Sequence, residues 1–176
     1  MISDIRTLYG KAEYCWITEP DTKFDPQGKY HIDLLVNKAE AEQVVKVIND
    51  AIGKKIADNF KSKTGGKVEQ VKRAPLPFEK KEDGSYIFKI KSKFKPKVWD
   101  KDRKELDPNT YIWKDTTMWV QFKLNPYDTT VGIGCSLYMN NIQVDNLVQG
   151  SSQNGACPFP KRDGSALPGP EKTVAL

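Results

Sequence analysis

A small β-barrel carrying one long helix is the fold this sequence predicts, on three observations. Runs of β-branched and aromatic residues with period-two alternation recur along the chain, separated by turn residues. A single stretch of helical period interrupts them early, after the second run. Beyond residue 148 the composition changes to Gly, Ser, Pro and Ala with few large apolar side chains, which cannot offset the entropy of ordering. The 176 residues are therefore expected to divide into a folded domain, 1–148, and a flexible C-terminal tail, 149–176.

The first strand is expected at residues 7–17, TLYGKAEYCWI, with a turn at Thr18, Glu19, Pro20 and Asp21. Tyr14 and Trp16 share parity with Leu8 and Ala12, which favours the core for both rings over the alternative of a stacking platform. A second turn, Asp25-Pro26-Gln27-Gly28, leads to a strand over 30–36 in which Tyr30, Ile32, Leu34 and Val36 face one way and His31 points outward as a solvated ring. Asn37 is a good N-cap with Glu40 three residues on. Behind it Ala41, Val44, Val45, Ile48, Ile52 and Ile56 recur at helical spacing, so a core-covering helix is expected over 38–60. Residues 62–82 mix glycine, proline and charge and read as a long loop.

A long third strand is expected over 86–99, YIFKIKSKFKPKVW, with Tyr86, Phe88, Ile90, Phe94 and Val98 inward. A hairpin turn follows at 100–104, and a short strand at 111–113. Residues 117–124 bury Met118, Val120, Phe122 and Leu124; Asn125-Pro126-Tyr127-Asp128 reads as a turn. The strand over 130–139 buries Val131, Ile133, Cys135, Leu137 and Met139, and a separate extended piece, NIQVDNLV, closes the domain. Among small barrels with one helix, the oligonucleotide-binding (OB) fold is the commonest.

The formal net charge is +5, and its distribution matters more than its size. Lys89, Lys91, Lys93, Lys95 and Lys97 occupy alternate positions of the third strand, which spaces five ammonium groups at ~6.6 Å on one face. Solvated faces usually mix signs; no acid interrupts these five. A polyanionic ligand follows, and the aromatics on the polar faces narrow its class. Trp99, Trp119 and Tyr138 lie among lysine, glutamine, serine and glycine, with Trp119 beside Gln121 and Lys123. Bases stack on such rings whatever their identity, while a basic groove tracks the backbone. Gly132 and Gly134 either leave room for a nucleotide or mark a bulge or barrel bend.

Enzyme signatures are missing: there is no phosphate loop, GxGxxG, GxSxG or HExxH, and Asp100, Asp102 and Asp107 fall in turns. Cys15, Cys135 and Cys157 have no CxxC spacing, so neither a disulfide framework nor a thiolate metal site is expected, and no cofactor is implied. No window approaches ~18 apolar residues and the N-terminus has no secretory h-region, which points to the cytoplasm. These readings leave a single-stranded DNA binder, a single-stranded RNA binder or an assembly protein with a basic face.

The order GKAEYCWITEPD, KYHIDLLVNK before a helix, YIFKIKSKF and VQFKLNPYDTTVGIGCSLYMNNIQV resembles the single-stranded DNA-binding proteins of short-tailed, T-odd-like bacteriophages, from about Gly10 to about Val148. The resemblance implies an OB barrel that coats single-stranded DNA in phage replication, recombination and repair, in the host cytoplasm. It also implies DNA contact at Tyr127 and, more loosely, at Lys123. Phage replication proteins, a polymerase or helicase, become candidate partners. The family's tail is typically acidic and ends in an aromatic; here Lys161, Arg162 and Lys172 stand against Asp163 and Glu171, and the chain ends in Leu176.

Overall fold

The computed structural model describes residues 5–23, 25–62 and 71–148; the expected tail and residues 63–70 of the expected loop lie outside them. Seven strands and one helix follow in the order β1 (Ile5–Asp21), β2 (Lys29–Val36), α1 (Lys38–Ser62), β3 (Phe78–Lys80), β4 (Tyr86–Ser92), β5 (Lys97–Trp99), β6 (Thr117–Thr129) and β7 (Gly132–Asn146). Five of them close a barrel in the order β1–β2–β4–β7–β6 and back to β1. The closing contact is parallel, at Lys91 and Tyr138, and the other barrel pairings are antiparallel. This is the OB order, with the short β3 added to β4 and β5 to β7.

The interior is apolar. Phe88, Phe122, Ile32, Leu34, Met118, Val120, Leu137 and Ile142 are fully buried, each contributing on the order of 1.5–3 kcal/mol. Helix α1 packs on β7, β6 and β1, burying Ala41, Val44, Ile48, Ile52 and Ile56 at the expected spacing. The cap is as the sequence suggests: Asn37 Oδ1 accepts the Glu40 N–H at 3.0 Å. At the next turn back, Gly28 adopts φ 74° and donates its N–H to Asp25 C=O at 2.8 Å.

Several expectations are corrected by the pairing. β1 runs on through 18–20 to Asp21, so the expected turn there is strand. Asn125-Pro126-Tyr127-Asp128 is also strand, paired with Asp128↔Ile133 through Asn125↔Ser136, and the hairpin turns at Thr130 and Val131. Val131 is accordingly 54% exposed instead of buried. Residues 111–113 form no strand, while 78–80 of the expected loop do. The expected final strand from Gly132 onward and residues 141–146 of the piece NIQVDNLV are one strand, β7; a register shift after Gln121↔Asn141 lets inward parity pass from Met139 to Ile142.

Two of these differences reshape the surface. The first is in β1, where a register shift between Ala12 and Tyr14 inserts Glu13 as an extra residue. Inward parity moves from Leu8 and Ala12 to Ile17, so Tyr14 turns outward, 46% exposed, and Trp16 is only half-buried. Neither ring is core. The second is the lysine segment, which is two strands and not one. Ser92 Oγ donates to Phe94 C=O at 2.6 Å and accepts the Phe94 N–H at 3.1 Å, folding residues 93–96 into a loop. Phe94 is 81% exposed, against the expectation that it is core.

Candidate nucleic-acid interface

Residues paired across neighbouring strands project side by side from one face, so the register orders the outer surface into rows. One row runs Tyr9, Trp119, Gln143, Trp99 across β1, β6, β7 and β5. The next runs Thr7, Gln121, Asn141, Lys97. A third runs Lys123, Tyr138, Lys91 across β6, β7 and β4. Lysines and aromatics proposed from separate strands thus meet on one patch.

Within the patch the rings are held in place. Trp119 is 44% exposed and leans on Tyr9, with centroids 4.9 Å apart and planes at 51°. Tyr9 in turn donates its hydroxyl to Asp145 Oδ2 at 2.7 Å. Gln143 Nε2 donates to the carbonyls of Asp100 and Lys101 at 3.3 and 3.5 Å, tying the 100–104 turn to the sheet beside the half-buried Trp99. Gln121 Oε1 accepts from Asn141 Nδ2 at 2.8 Å, which leaves its amino group for a ligand. Such fixing lowers the ordering cost of binding.

The lysines are distributed otherwise than the even ladder implied. Lys89 and Lys91 alternate on β4 as expected, and Lys97 re-enters the sheet opposite Asn141. Along β7 the partners of Lys91 and Lys97 are three residues apart (141 − 138), whereas the lysines are six apart (97 − 91), so the intervening chain is extruded. Lys93 and Lys95 therefore ride on a loop with Phe94, over a groove of about 650 Å³ whose other wall is Tyr138 and Asn141. Lys95 Nζ reaches Pro108 C=O at 3.4 Å. Lys91, Lys97 and Lys123 make no ion pair with a carboxylate among the described residues. Pro96 was the legible warning of the break, since proline cannot donate to a central ladder.

Tyr127, Gly132 and Gly134 lie at the other end of the β6–β7 hairpin. Tyr127 is on the outer face, two alternate positions past Lys123, and its ring lies over Gly134: a Cβ there would stand 2.7 Å from the Tyr127 hydroxyl. Gly132, at φ 127°, faces backbone of residues 72–74, where a Cβ would meet atoms at 2.8 Å. That segment docks by Ala74 N–H to Ile133 C=O and Ile133 N–H to Lys72 C=O, both 2.9 Å. Both glycines are buried, and the space they leave is filled by the chain itself.

The acids do structural work. Asp100 Oδ1 accepts the N–H groups of Asp102 and Lys104 at 2.8 and 2.9 Å, and Asp107 Oδ1 that of Asn109 at 2.8 Å, as befits turns. His31 is not merely solvated: its Nε2 lies 3.0 Å from Asp21 Oδ2. That contact, with the Lys23 N–H, holds the Asp21 carboxyl below the usual range. Burial pushes Asp33 upward, against the attraction of Lys89 and His31. Cys15 is a free thiol, and burial raises it to about 12.

A family model described as the single-stranded DNA-binding protein of Enterobacter phage Enc34 matches residues 5–156. The fold is similar to that of gp2.5, a single-stranded DNA-binding protein encoded by bacteriophage T7, with a TM-score of 0.72, 21% identity, and coverage of 92% of this chain and 100% of that one. It is also similar to the bacteriophage Enc34 single-stranded DNA-binding protein in complex with single-stranded DNA, with a TM-score of 0.62, 16% identity, and coverage of 83% and 88%. No curated protein matches the sequence.

Proposed function

Since the chain belongs to the phage single-stranded DNA-binding family typified by the Enc34 protein, we propose that it coats single-stranded DNA with little sequence preference, in replication, recombination and repair. The observation that carries this reading is the rowed patch, in which Trp119, Tyr138 and Trp99 share one outer face with Lys123, Lys91 and Lys97. Exposed rings take the bases and ammonium groups take the phosphates, so affinity comes from parts common to every nucleotide. Phe94 joins the rings, because its loop carries Lys93 and Lys95 over the groove that Tyr138 lines.

The strand lies across β6, β7 and β4/β5, and not along β4, because the row Lys123, Tyr138, Lys91 alternates cation and ring in that direction. Lys89 stands at the margin of this patch. Tyr127 offers DNA the exposed part of a ring already seated on Gly134. The binding unit is residues 1–148 followed by the tail 149–176; the family match runs eight residues past that boundary (156 − 148). A phage polymerase or helicase is the proposed partner class and the host cytoplasm the proposed location. No helix among the described residues is long and apolar enough to cross a membrane.

Titrating tryptophan fluorescence with poly-dT at several salt concentrations tests the reading. Quenching with a log K against log salt slope of about −3 is expected, since each phosphate neutralised contributes ~0.7 and four or five lysines engage. A slope near zero removes the lysines as the phosphate track. Matched RNA oligomers in competition separate DNA from RNA, and labelled DNA incubated with magnesium or manganese tests for a nuclease.

A further inference from the structure

Residues 111–116, the last part of the segment joining β5 to β6, are laced to β1 and to the end of the barrel chain. Asp115 donates its N–H to Ala12 C=O at 2.8 Å, and Ala12 donates back to Thr116 C=O at 2.9 Å. Trp113 donates its N–H to Val148 C=O at 3.2 Å, and Val148 donates in turn to Thr116 Oγ1 at 2.9 Å. Between these residues and β1 lies a groove of about 300 Å³, lined by Trp16, Tyr111, Ile112 and Trp113 together with Glu19. Tyr111 and Trp113 are exposed in it, and neither belongs to the rows of the DNA patch. Its charge is also of the other sign. Glu13 is matched by Lys114 at 3.3 Å, whereas Glu19, which accepts the Tyr111 hydroxyl at 2.8 Å, pairs with no cation among the described residues.

An aromatic groove with an acid in it suits a cationic, proline-flanked segment, and the sequence supplies one from the same edge. The described chain ends at Val148, bonded to Trp113, and ten residues further on (158 − 148) the sequence reads Pro158-Phe159-Pro160-Lys161-Arg162. We propose that this groove takes residues 158–162 of its own chain, with the Phe159 ring and its two flanking prolines against Trp16, Tyr111 and Trp113 and the Lys161-Arg162 pair beside Glu19. Reach is ample, since ten residues extend up to ~33 Å and the tether starts on one wall of the groove. Proline fixes φ at ~−65° and biases the residue before it to extended backbone, so such a segment loses little entropy on lying along aromatic rings. The two cations would be repelled by the lysine patch and attracted by Glu19, which separates this surface from the one proposed for DNA.

Trypsin digestion of the full chain without DNA tests the docking, because the sequence carries its own control: Arg162 lies in the proposed segment and Lys172 ten residues beyond it (172 − 162). Phe159→Ser should raise the rate of cleavage after Arg162, relative to that after Lys172, by about tenfold, the effect of withdrawing one buried ring. Trp113→Ser should do the same from the side of the groove. Should that variant melt early, Phe159→Ser decides alone, since it alters no residue of the barrel. A ratio unchanged by Phe159→Ser overturns the proposal. Carbodiimide cross-linking of an equal mixture of light and heavy-isotope protein then locates the segment, and a Glu19–Lys161 link within molecules of one isotope is the expected product. Links between light and heavy molecules would give the groove to a second copy, and Lys161 joined only to other acids would place the segment elsewhere; either result overturns docking in the chain's own groove. The DNA reading stands or falls separately, by the poly-dT titration.

Discussion

The two ends of the β6–β7 hairpin present the same outer face to different neighbours. At one end Trp119 and Tyr138 stand partly exposed among lysines, buttressed from the side by Tyr9. At the other, Tyr127 lies down on Gly134 and residues 72–74 run along Ile133, so the chain occupies its own surface. Both ends combine aromatics with residues that sequence patterns associate with ligand contact. Only the first has room for a ligand. An aromatic on the polar face of a strand is therefore a candidate stacking ring only after the neighbouring backbone has been placed.

The largest effect should come from filling the covered end. Gly132→Ala sets a side chain at a positive φ and drives its Cβ against backbone at 2.8 Å; a loss of about 3 kcal/mol is expected. Thermal melting measures it, and affinity per folded molecule should be retained. If the variant melts normally, the docking of residues 72–74 contributes nothing to the fold and the contrast between the ends fails.

Removing the rings sharpens the same contrast. Trp119→Ala should lower affinity by on the order of 1–3 kcal/mol, and the loss should persist in 0.5 M salt, where charge contributions are screened. Tyr127→Ala should lower the melting temperature first, because its ring fills the space over Gly134. Affinity at high salt beside a melting curve for each variant separates the two. Normal affinity in folded Trp119→Ala protein removes its stacking role, whereas a strong loss in stable Tyr127→Ala protein makes the covered end a contact as well.

Single lysines come next. Lys91→Ala and Lys93→Ala should each reduce the salt slope by ~0.7 and weaken binding to all sequences alike, with melting unchanged because exposed lysines contribute little to folding. Lys93 probes the loop and Lys91 the sheet. A loss confined to Lys91 would show that the loop stands clear of the strand.

The smallest effect expected is from Asp33→Asn. Burial raises the Asp33 carboxyl, so its contribution to stability is full below its unfolded value of ~3.9 and is lost as pH rises through the folded value. The amide should melt slightly higher than the acid at pH 7, and the difference should vanish on titration to about pH 3. A persistent difference at low pH would assign it to packing.

Alternation by itself determined most of the barrel's inward face: Ile32, Leu34, Val36, Phe88, Ile90, Met118, Val120, Phe122 and Leu124 were legible because a one-residue error in parity exposes a whole row. The helix was equally plain, since its cap and apolar spacing are local. The five lysines and the rings of Trp99, Trp119 and Tyr138 were visible as a cationic and aromatic set, but not as neighbours. What joined them is register, which depends on partners tens of residues away. Bulges lay beyond reach for the same reason, and Pro96 signalled a break in the lysine run without giving its extent. Inserting one residue at Glu13 reverses the side chains that follow it as far as Ile17, and the cost or gain is set by what β2 offers opposite. The loop that lifts Phe94 answers to Ser92 and to the closing pair Lys91–Tyr138. Local composition fixes which residues can face water or the core; only strand pairing decides which of those facing water face it together.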